Sequence, residues 1–266
     1  MTTKNRPLIR WAGSKTRILH LLTEHSPPTY GKYIEPFCGS MSLFLRICPE
    51  KSSMGDINEE LINFYRQVKE YPEKISEAVH KIPRTKEEYY RIRSEGALGS
   101  DELGRAIRFF FLNRHCFNGV YRTNKSGIFN VPFGSKLTEI PSHEEIISFS
   151  KKIANTDFYN GDFEVTISTA EQNDFIYLDP PYAGTESRDR GEYGLNSFKE
   201  FDIARLSKGL KLASEKGVKI LLSYASIEII KKEFSDWNIR EISVDRSISG
   251  FARGRKKVPE VIITNY

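Results

Sequence analysis

The residues with the strongest chemical character lie at Phe175–Tyr182, reading F-I-Y-L-D-P-P-Y. Four mostly apolar residues run into Asp179-Pro180-Pro181-Tyr182. A short apolar run closed by a turn signal predicts a buried strand of a parallel sheet. Two consecutive prolines have no N–H to donate, so the chain must leave the sheet there. The carboxyl end of such a strand is where open α/β sheets bind their ligands. Standing at that end are a carboxylate, a rigidly held carbonyl and an aromatic ring. The set suits a flat substrate bearing an amino group, with two acceptors for its N–H bonds and a face for stacking. An ordinary Pro-Pro turn after a core strand would use the same residues, so the neighbouring stretches must decide.

Three further stretches carry residues suited to holding a ligand beside that turn. Arg10-Trp11-Ala12-Gly13-Ser14-Lys15 is a tight turn expected to open a helix through Ile18, Leu19 and Leu22. Backbone N–H groups at such a helix start hold carboxylates, Lys15 adds a point charge and Trp11 a flat wall. An N-terminal helix with a buried Trp explains the same residues. Next, Tyr33-Ile34 leads into Glu35-Pro36-Phe37-Cys38-Gly39-Ser40-Met41-Ser42 and a helix with Leu43, Phe44 and Ile47. Strand, small-residue turn and helix form the first unit of a nucleotide-type α/β fold. The turn is not G-x-G-x-x-G, which disfavours a dinucleotide site. Asp56 closes the second strand, twenty-one residues after Glu35, where an acid can bind ribose hydroxyls. It could also cap the helix of Leu61, Ile62 and Tyr65, but the spacing favours ribose.

The elements that position these residues alternate as an α/β sheet requires, with one interruption. From Tyr71 to Asn113 the pattern is helical and polar, punctuated by Pro72, Pro83, Gly96 and Gly99. No strand alternates with these helices, so an inserted helical subdomain is expected. Strands then resume at Thr156–Asn160, followed by Gly161-Asp162-Phe163, and at Phe175. Ala183 to Ser197 is a polar, glycine-rich loop expected to move on substrate binding. After helix Glu200–Glu215 come strand Lys219–Ser223, helix Ser226–Phe234, and strands Asn238–Asp245 and Val258–Asn265 as a closing hairpin on the sheet edge.

Charge distribution points to an anionic partner. The 266 residues carry a formal net charge of +5. From Leu103 to Thr138 there is no Asp or Glu, while Arg105, Arg108, Arg114, Arg122, Lys125 and Lys136 all fall inside. A second acid-free run, Arg246 to Lys257, carries five more cations. Solvated faces also have such runs, but here the first encloses Asn113–Asn124 and Ser126–Gly134. Asn-Gly and Ser-Gly pairs between β-branched and aromatic residues predict hairpin-like turns. A basic, aromatic-rich loop of this kind suits DNA: Arg for guanine edges or phosphates, Val for a thymine methyl, Phe or Tyr as a wedge in the stack. His115 reads as a structural hydrogen bonder.

Composition excludes several classes. Cys38, Cys48 and Cys116 are widely spaced and lack paired histidines, which argues against a disulfide framework and a zinc site and for a reducing compartment. The polar N-terminus has no signal-peptide core, and no apolar run approaches a membrane span. A cytoplasmic protein, with no membrane and no metal, is expected.

Taken together, these motifs resemble the Dam-type (D12 class, alpha group) DNA N6-adenine methyltransferases. The family's order is R/K-W-x-G-x-K, E-P-F-x-G-x, D-x-N, N-G-x-x-R-x-N with F-N-V-P-F-G, then D-P-P-Y. Here these are Arg10–Lys15, Glu35–Ser40, Asp56–Asn58, Asn118–Asn124 with Phe129–Gly134, and Asp179–Tyr182. The resemblance spans nearly the whole chain, and the ordered set is far more specific than D-P-P-Y alone. One departure is Ser40-Met41-Ser42, where relatives often carry further small residues.

The resemblance implies a Rossmann-like S-adenosylmethionine-dependent methyltransferase sheet, formed by residues 1–58 and 140–266. Residues 59–139 would form an inserted, mainly helical target-recognition subdomain with a DNA-reading hairpin loop at 113–135. It implies that S-adenosylmethionine is held by Trp11, Gly13, Lys15, Glu35, Pro36, Phe37, Gly39, Ser40, Asp56, Asp162, Phe163 and Asp179. Asp179, Pro180, Pro181 and Tyr182 would engage a flipped-out adenine of duplex DNA. Contacts to DNA would come from Arg10, Arg114, Phe117, Asn118, Val120, Tyr121, Arg122, Asn124, Lys125 and Pro132. Arg122 would read a guanine and Val120 a thymine methyl, with GATC the leading target and a cognate restriction nuclease a candidate partner. Two other readings are a methyltransferase for another planar amine or amide, such as an RNA base or glutamine, and a DNA-binding module that has lost catalysis. Asp at the first position of D-P-P-Y opposes the former; intact Asp179, Tyr182, Lys15 and Asp56 oppose the latter.

Overall fold

The protein is described by a computed structural model covering residues 5–94, 99–124, 126–135, 137–183, 198–247 and 255–266. For 244–247 and 255–258 it describes the backbone alone. The polar loop at 184–197, the centre of the second basic run at 248–254, Lys125 and Lys136 lie outside the described residues.

The apolar runs become strands where their turn signals end them. They are β1 (Tyr33–Glu35), β2 (Ser52–Asp56), β3 (Thr156–Asn160), β4 (Phe175–Leu178), β5 (Lys219–Ala225), β6 (Asn238–Ser247) and β7 (Arg255–Thr264). They form one sheet in the order β3-β2-β1-β4-β5-β7-β6. The first five run parallel, and β7 is antiparallel to both β5 and β6. Strand order reverses between β1 and β4, which pair with Tyr33 opposite Phe175 and Ile34 opposite Ile176. Connections leaving these two strands diverge to opposite sides, opening a crevice at their carboxyl ends. Glu35 and Asp179 stand at those ends.

Both faces of the sheet are covered, so alternate residues of β4 enter two different cores. Phe175 and Tyr177 pack on one face with Tyr33, Leu221 and Ile262. Ile176 and Leu178 pack on the other with Ile34, Ile220 and Leu222. Each such fully buried side chain contributes roughly 1.5–3 kcal/mol. This double burial explains why F-I-Y-L reads as a continuous apolar run.

The first face carries α1 (Leu19–Glu24), α2 (Ser42–Ile47) and the long β2-to-β3 excursion. That excursion contains α3 (Glu59–Glu70), α4 (Pro72–Lys81), α5 (Lys86–Arg93), α6 (Glu102–His115) and α7 (His143–Lys152). Helix α3 starts where Asn58 accepts a hydrogen bond from the Leu61 amide (3.0 Å), which satisfies one of its unpaired N–H groups. Its Tyr65 ring stacks on Phe158 of β3 (5.7 Å, 14°), while its Phe64 ring meets Phe109 and Phe110 of α6 (5.5 and 5.0 Å). The expected insert begins at this helix, yet α3 packs on the sheet as well. One continuous core therefore joins the helical excursion to the sheet. The second face is covered by α8 (Phe163–Ile167), α9 (Glu200–Glu215) and α10 (Glu228–Glu233).

One expected element begins late. The helix predicted to open at Gly13-Ser14 starts at Leu19. Gly13 has φ of +80° and the residues between form turns. Helix-start amides therefore do not lie at Gly13-Ser14. Among the described residues no helix is long and apolar enough to cross a membrane.

Candidate active site

A cavity of about 590 Å³ opens at the carboxyl ends of the parallel strands. Every residue predicted to hold cofactor or to act in catalysis lines it: Trp11, Gly13 and Lys15, the Glu35–Ser40 loop residues, Asp56, Asp162 and Phe163, and Asp179 to Tyr182. Five separated stretches thus meet in one space because each follows a strand end or packs against one.

Asp56 closes β2, and its carboxylate ties two backbones together. Oδ2 accepts from the Gly39 amide (3.2 Å) and Oδ1 from the Asn58 amide (3.0 Å). Asn58, not Asp56, caps α3, which removes the capping reading of Asp56. Burial raises the Asp56 pKa to about 6 against the pull of its amide donors. Glu35 is buried more deeply and accepts from the Tyr33 hydroxyl (2.8 Å); burial holds its carboxyl well above the usual range. Gly39 has φ of +42°, and a Cβ there would sit 2.8 Å from Trp11 Cδ1. Glycine alone lets the loop press against the indole. Tyr65 donates its hydroxyl to the Gly39 carbonyl (2.7 Å), securing the loop from behind.

Met41, the departure from the family pattern, is fully buried with φ of +58°. Its side chain enters the core, while the hydroxyls of Ser14, Ser42 and Ser40 form a chain with 3.0 Å spacings along the cavity. At the far side Asp162 caps α8 by accepting from the Glu164 amide (3.0 Å). Arg205 grips Asp162, Glu164 and Asp202, with its guanidinium 4.9 Å from the centre of the Phe163 ring.

At the end of β4 the charges are closely paired. Lys15 Nζ lies 2.9 Å from Asp179 Oδ1 and 3.8 Å from Glu260 Oε2, and donates to the Tyr182 hydroxyl (3.1 Å). Tyr182 in turn donates to Glu260 Oε1 (3.0 Å). Burial lowers the affinity of the lysine for its proton, but Asp179, with Tyr182 and Glu260, overrides this and raises its pKa above the ordinary value. Lys15 is therefore a fixed cation beside Asp179 across the physiological range. Burial also pushes the Tyr182 phenol up to about 12, so it remains a neutral donor. Tyr224 meets the Tyr182 ring edge-on (5.0 Å, 85°), donates to the Pro181 carbonyl (3.3 Å) and accepts from the Ala183 amide (2.6 Å).

The basic loop follows α6 as expected but differs in how its side chains are used. Asn118 and Gly119 both have positive φ, forming a tight turn, and isolated antiparallel bridges join Cys116 to Phe133 and Thr123 to Phe129. Asn124 Oδ1 accepts from the Ser126 and Ile128 amides (2.9 Å each), closing a second turn. Arg10 is brought to this loop: the buried Asn113 side chain bonds both its amide (2.8 Å) and its carbonyl (2.7 Å). A Cβ on Gly119 would come within 2.5 Å of Arg10 Cβ. Phe117 is 50% exposed, and Pro132, exposed, accepts from the Phe117 amide (2.9 Å). Val120 is half-buried, and Arg122 donates from Nε to Asn130 Oδ1 (2.8 Å).

Two members of the predicted DNA set face inward. Arg114 donates to the backbone carbonyls of Leu8 (3.2 Å) and Glu139, fastening the N-terminal segment to the end of the loop. Burial lowers its pKa to about 10. Tyr121 is wedged among Trp11 (5.8 Å, 27°), Phe109 and Phe129, so its ring supports the loop and is not available to enter a base stack. His115 is buried, bonded through Nδ1 to the Phe111 carbonyl (2.8 Å), a structural position.

Sequence reasoning missed Glu260, Ser42, Tyr65 and Arg205. Glu260 had a signal: it is the one acid in the apolar strand V-P-E-V-I-I, and a buried charge requires a partner. The others carry none, because Ser, Tyr and Arg on helices are ordinary.

Comparison with known proteins identifies the family. The sequence pattern of the family described as D12 class N6 adenine-specific DNA methyltransferase matches residues 11–248. The chain is 35% identical to the Type II methyltransferase M1.LlaDCHI of Lactococcus lactis subsp. cremoris, over 98% of this chain and 95% of that one. It is 31% identical to the Type II methyltransferase M.MjaIII of Methanocaldococcus jannaschii, over 98% and 99%. With the DNA adenine methylase of Escherichia coli (strain K12) it shares 32% identity over 97% and 95%. The match covers both the cavity-forming stretches and the basic loop, and the chain belongs to the D12 class N6 adenine-specific DNA methyltransferases.

Proposed function

We propose that this chain transfers a methyl group from S-adenosylmethionine to N6 of an adenine flipped out of duplex DNA, within GATC. The observation that carries the proposal is the convergence of Asp179, Pro180 and Tyr182 with Asp56 and the Gly39 loop around one cavity. Its volume of about 590 Å³ falls within the range of cofactor pockets. The donor set fits a nucleoside-bearing cofactor: Asp56 to accept ribose hydroxyls, the Asp162-Phe163 corner for the base, and Lys15 with the serine hydroxyls for a carboxylate. When bound, S-adenosylmethionine supplies an electrophilic methyl group on a sulfonium.

The chemistry follows from the residue types. Adenine N6 is a poor nucleophile because its lone pair is delocalised into the ring. Asp179 and the Pro180 carbonyl accept its two N–H bonds, favouring a more tetrahedral nitrogen whose lone pair points at the methyl group. Alignment lowers the barrier, and the Asp179 carboxylate stabilises the positive charge that develops on nitrogen. No covalent enzyme intermediate is required. Flipping the base costs a few kcal/mol of unstacking, and stacking on Tyr182 returns roughly 1–3 kcal/mol. Phe117, half-exposed at the tip of its turn, fills the gap left in the duplex. Residues 59–139 act as the target-recognition subdomain, with Arg10, Val120 and Arg122 contacting bases and Asn118, Asn124, Lys125 and Pro132 lining the contact. The GATC assignment rests on the likeness of the N-G-V-Y-R-T-N loop to Dam-type enzymes. Because two relatives are named Type II methyltransferases, a restriction nuclease cutting the same site is the proposed partner.

The test is incorporation of labelled methyl groups into duplexes that differ only in one site. A GATC duplex should be labelled and become resistant to nucleases blocked by adenine methylation, while a GTTC control is not. Equal labelling of both would overturn the specificity, and no labelling of either would overturn the reaction.

A further inference from the structure

Glu260 is an acid in the middle of an apolar strand. Its neighbours Val261, Ile262 and Ile263 are all buried, and Glu260 itself is 1% exposed. It pairs with Ala225 of β5 and Ile242 of β6, so both edges of its backbone are occupied by the sheet. Packing there asks for an apolar residue, and burying a carboxylate is costly unless it is paired and hydrogen-bonded. Glu260 is paired, on the cavity side: Oε1 accepts the Tyr182 proton at 3.0 Å and Oε2 lies 3.8 Å from Lys15 Nζ.

We infer that Glu260 is a positioning residue for methyl transfer, fixing the Tyr182 ring and drawing part of the Lys15 charge away from Asp179. The inference rests on the proposed roles of Asp179 and Tyr182 toward adenine. Two contacts define how it acts. A phenol has one proton; here Glu260 takes it, leaving the oxygen lone pairs to Lys15, which donates to them at 3.1 Å. That assignment orients the hydroxyl, and with Tyr224 edge-on to the ring it fixes the surface on which the base stacks. The second contact concerns charge. Lys15 sits between two carboxylates, closer to Asp179 (2.9 Å) than to Glu260 (3.8 Å). An ammonium held wholly by Asp179 competes with the adenine amino group for that carboxylate. A second anion behind Tyr182 gives the lysine a place to lean when the base arrives. The topology explains the source of this residue: β7 runs antiparallel beside β5, so the middle of a strand, not its carboxyl end, reaches the D-P-P-Y turn.

The test uses the full chain with a duplex substrate and saturating labelled S-adenosylmethionine, read as single-turnover rate, with cofactor affinity measured by calorimetry. Glu260→Gln keeps an acceptor for Tyr182 but removes the charge. It should slow methyl transfer on the order of 10–100-fold, the scale of a small misplacement of reacting groups, while cofactor affinity changes only a few-fold. Adding Tyr182→Phe to Glu260→Gln should slow transfer by less than the product of the two single effects, because both act through one contact. Wild-type transfer by Glu260→Gln, loss of cofactor affinity with an unchanged saturated rate, or strictly multiplicative effects each overturn the inference. If Glu260→Gln does not fold, Tyr182→Phe decides alone: it cuts the phenol link, and wild-type transfer by it overturns the inference. Wild type and Asp179→Asn run alongside. Should wild type methylate no adenine, or Asp179→Asn match wild type, the reading of the site has failed; if both behave as proposed, only the role of Glu260 is in question.

Discussion

The cavity and the basic loop are built on opposite principles. The cavity gathers carboxylates: Glu35, Asp56, Asp179 and Glu260 line it, the last two beside Lys15, each carried on or just beyond a strand of the sheet. The loop from Phe117 to Gly134 has no acid and, among the described residues, no extended strand; it keeps its shape through left-handed turns, two bridges and an aromatic stack. Strand ends are rigid because both neighbouring strands and both packed faces hold them. Turns of Asn and Gly are held apart from the sheet, so their outward side chains can change without disturbing it. On the proposed function, the contrast separates a reaction centre that tolerates little from a reading surface that can vary. Trp11 joins them, pressed on Gly39 of the cavity and stacked on Tyr121 of the loop.

The largest expected break falls on the cavity side alone. Asp179→Asn removes the charge facing the developing cation and should lower the single-turnover rate by roughly 10²–10³-fold. DNA affinity measured by gel shift should be retained. Within the loop, two aromatic residues should behave differently. Tyr121→Ala should lower stability by about 1–3 kcal/mol, since a half-buried ring in an aromatic cluster is lost, visible as a drop in Tm. Phe117→Ala should leave stability within roughly 0.5 kcal/mol and instead weaken base flipping, read with 2-aminopurine at the target. Equal loss of Tm in both would mean that Phe117 is packed like Tyr121.

Arg122→Ala should relax discrimination at one base pair by roughly 1–3 kcal/mol, measured as relative methylation of duplexes mutated at each position. If every duplex weakened equally, Arg122 would be a phosphate contact. The smallest effect is a pH dependence of the cofactor side. Asp56 has its pKa raised to about 6 by burial. Ribose hydroxyls donating to the carboxylate favour its charged form, so binding releases a proton where Asp56 is protonated in the free protein. Affinity for S-adenosylmethionine should then be full above that pKa and fall as pH drops through it, by at most about tenfold per unit. Asp56→Asn should bind more weakly and lack the dependence. The same shift bears on folding with a definite sign. A carboxyl raised in the folded state contributes stability at low pH that is lost as pH rises from about 4 to about 6.

Much of this arrangement is legible in the sequence. F-I-Y-L followed by Asp-Pro-Pro marked a strand end because apolar continuity and missing N–H donors are local properties. Glu35 and Asp56 were legible through spacing, since consecutive parallel strands bring their ends together. What resisted reading depended on direction. Arg114 and Arg122 look alike in a basic run, yet one turns toward backbone carbonyls and the other lies on the hairpin. Tyr121 and Phe117 both read as wedges until the pocket formed by Trp11, Phe109 and Phe129 claimed the tyrosine. Glu260 was hidden because β7 reads as an ordinary core strand, and its partners lie more than 75 residues away. The late start of α1 shows the limit of turn signals: Gly13 begins a turn, but the helix itself starts only at Leu19.

The central claim is that Asp179 and Tyr182 present N6 of adenine to a methyl donor held beside them. It is tested most directly by incubating wild type and Asp179→Asn with duplex DNA and S-adenosylmethionine, digesting the DNA and identifying the modified nucleoside by mass spectrometry. The account predicts N6-methyldeoxyadenosine with wild type and almost none with Asp179→Asn. Methylation at another base or ring atom, or an equal yield from the variant, would contradict it.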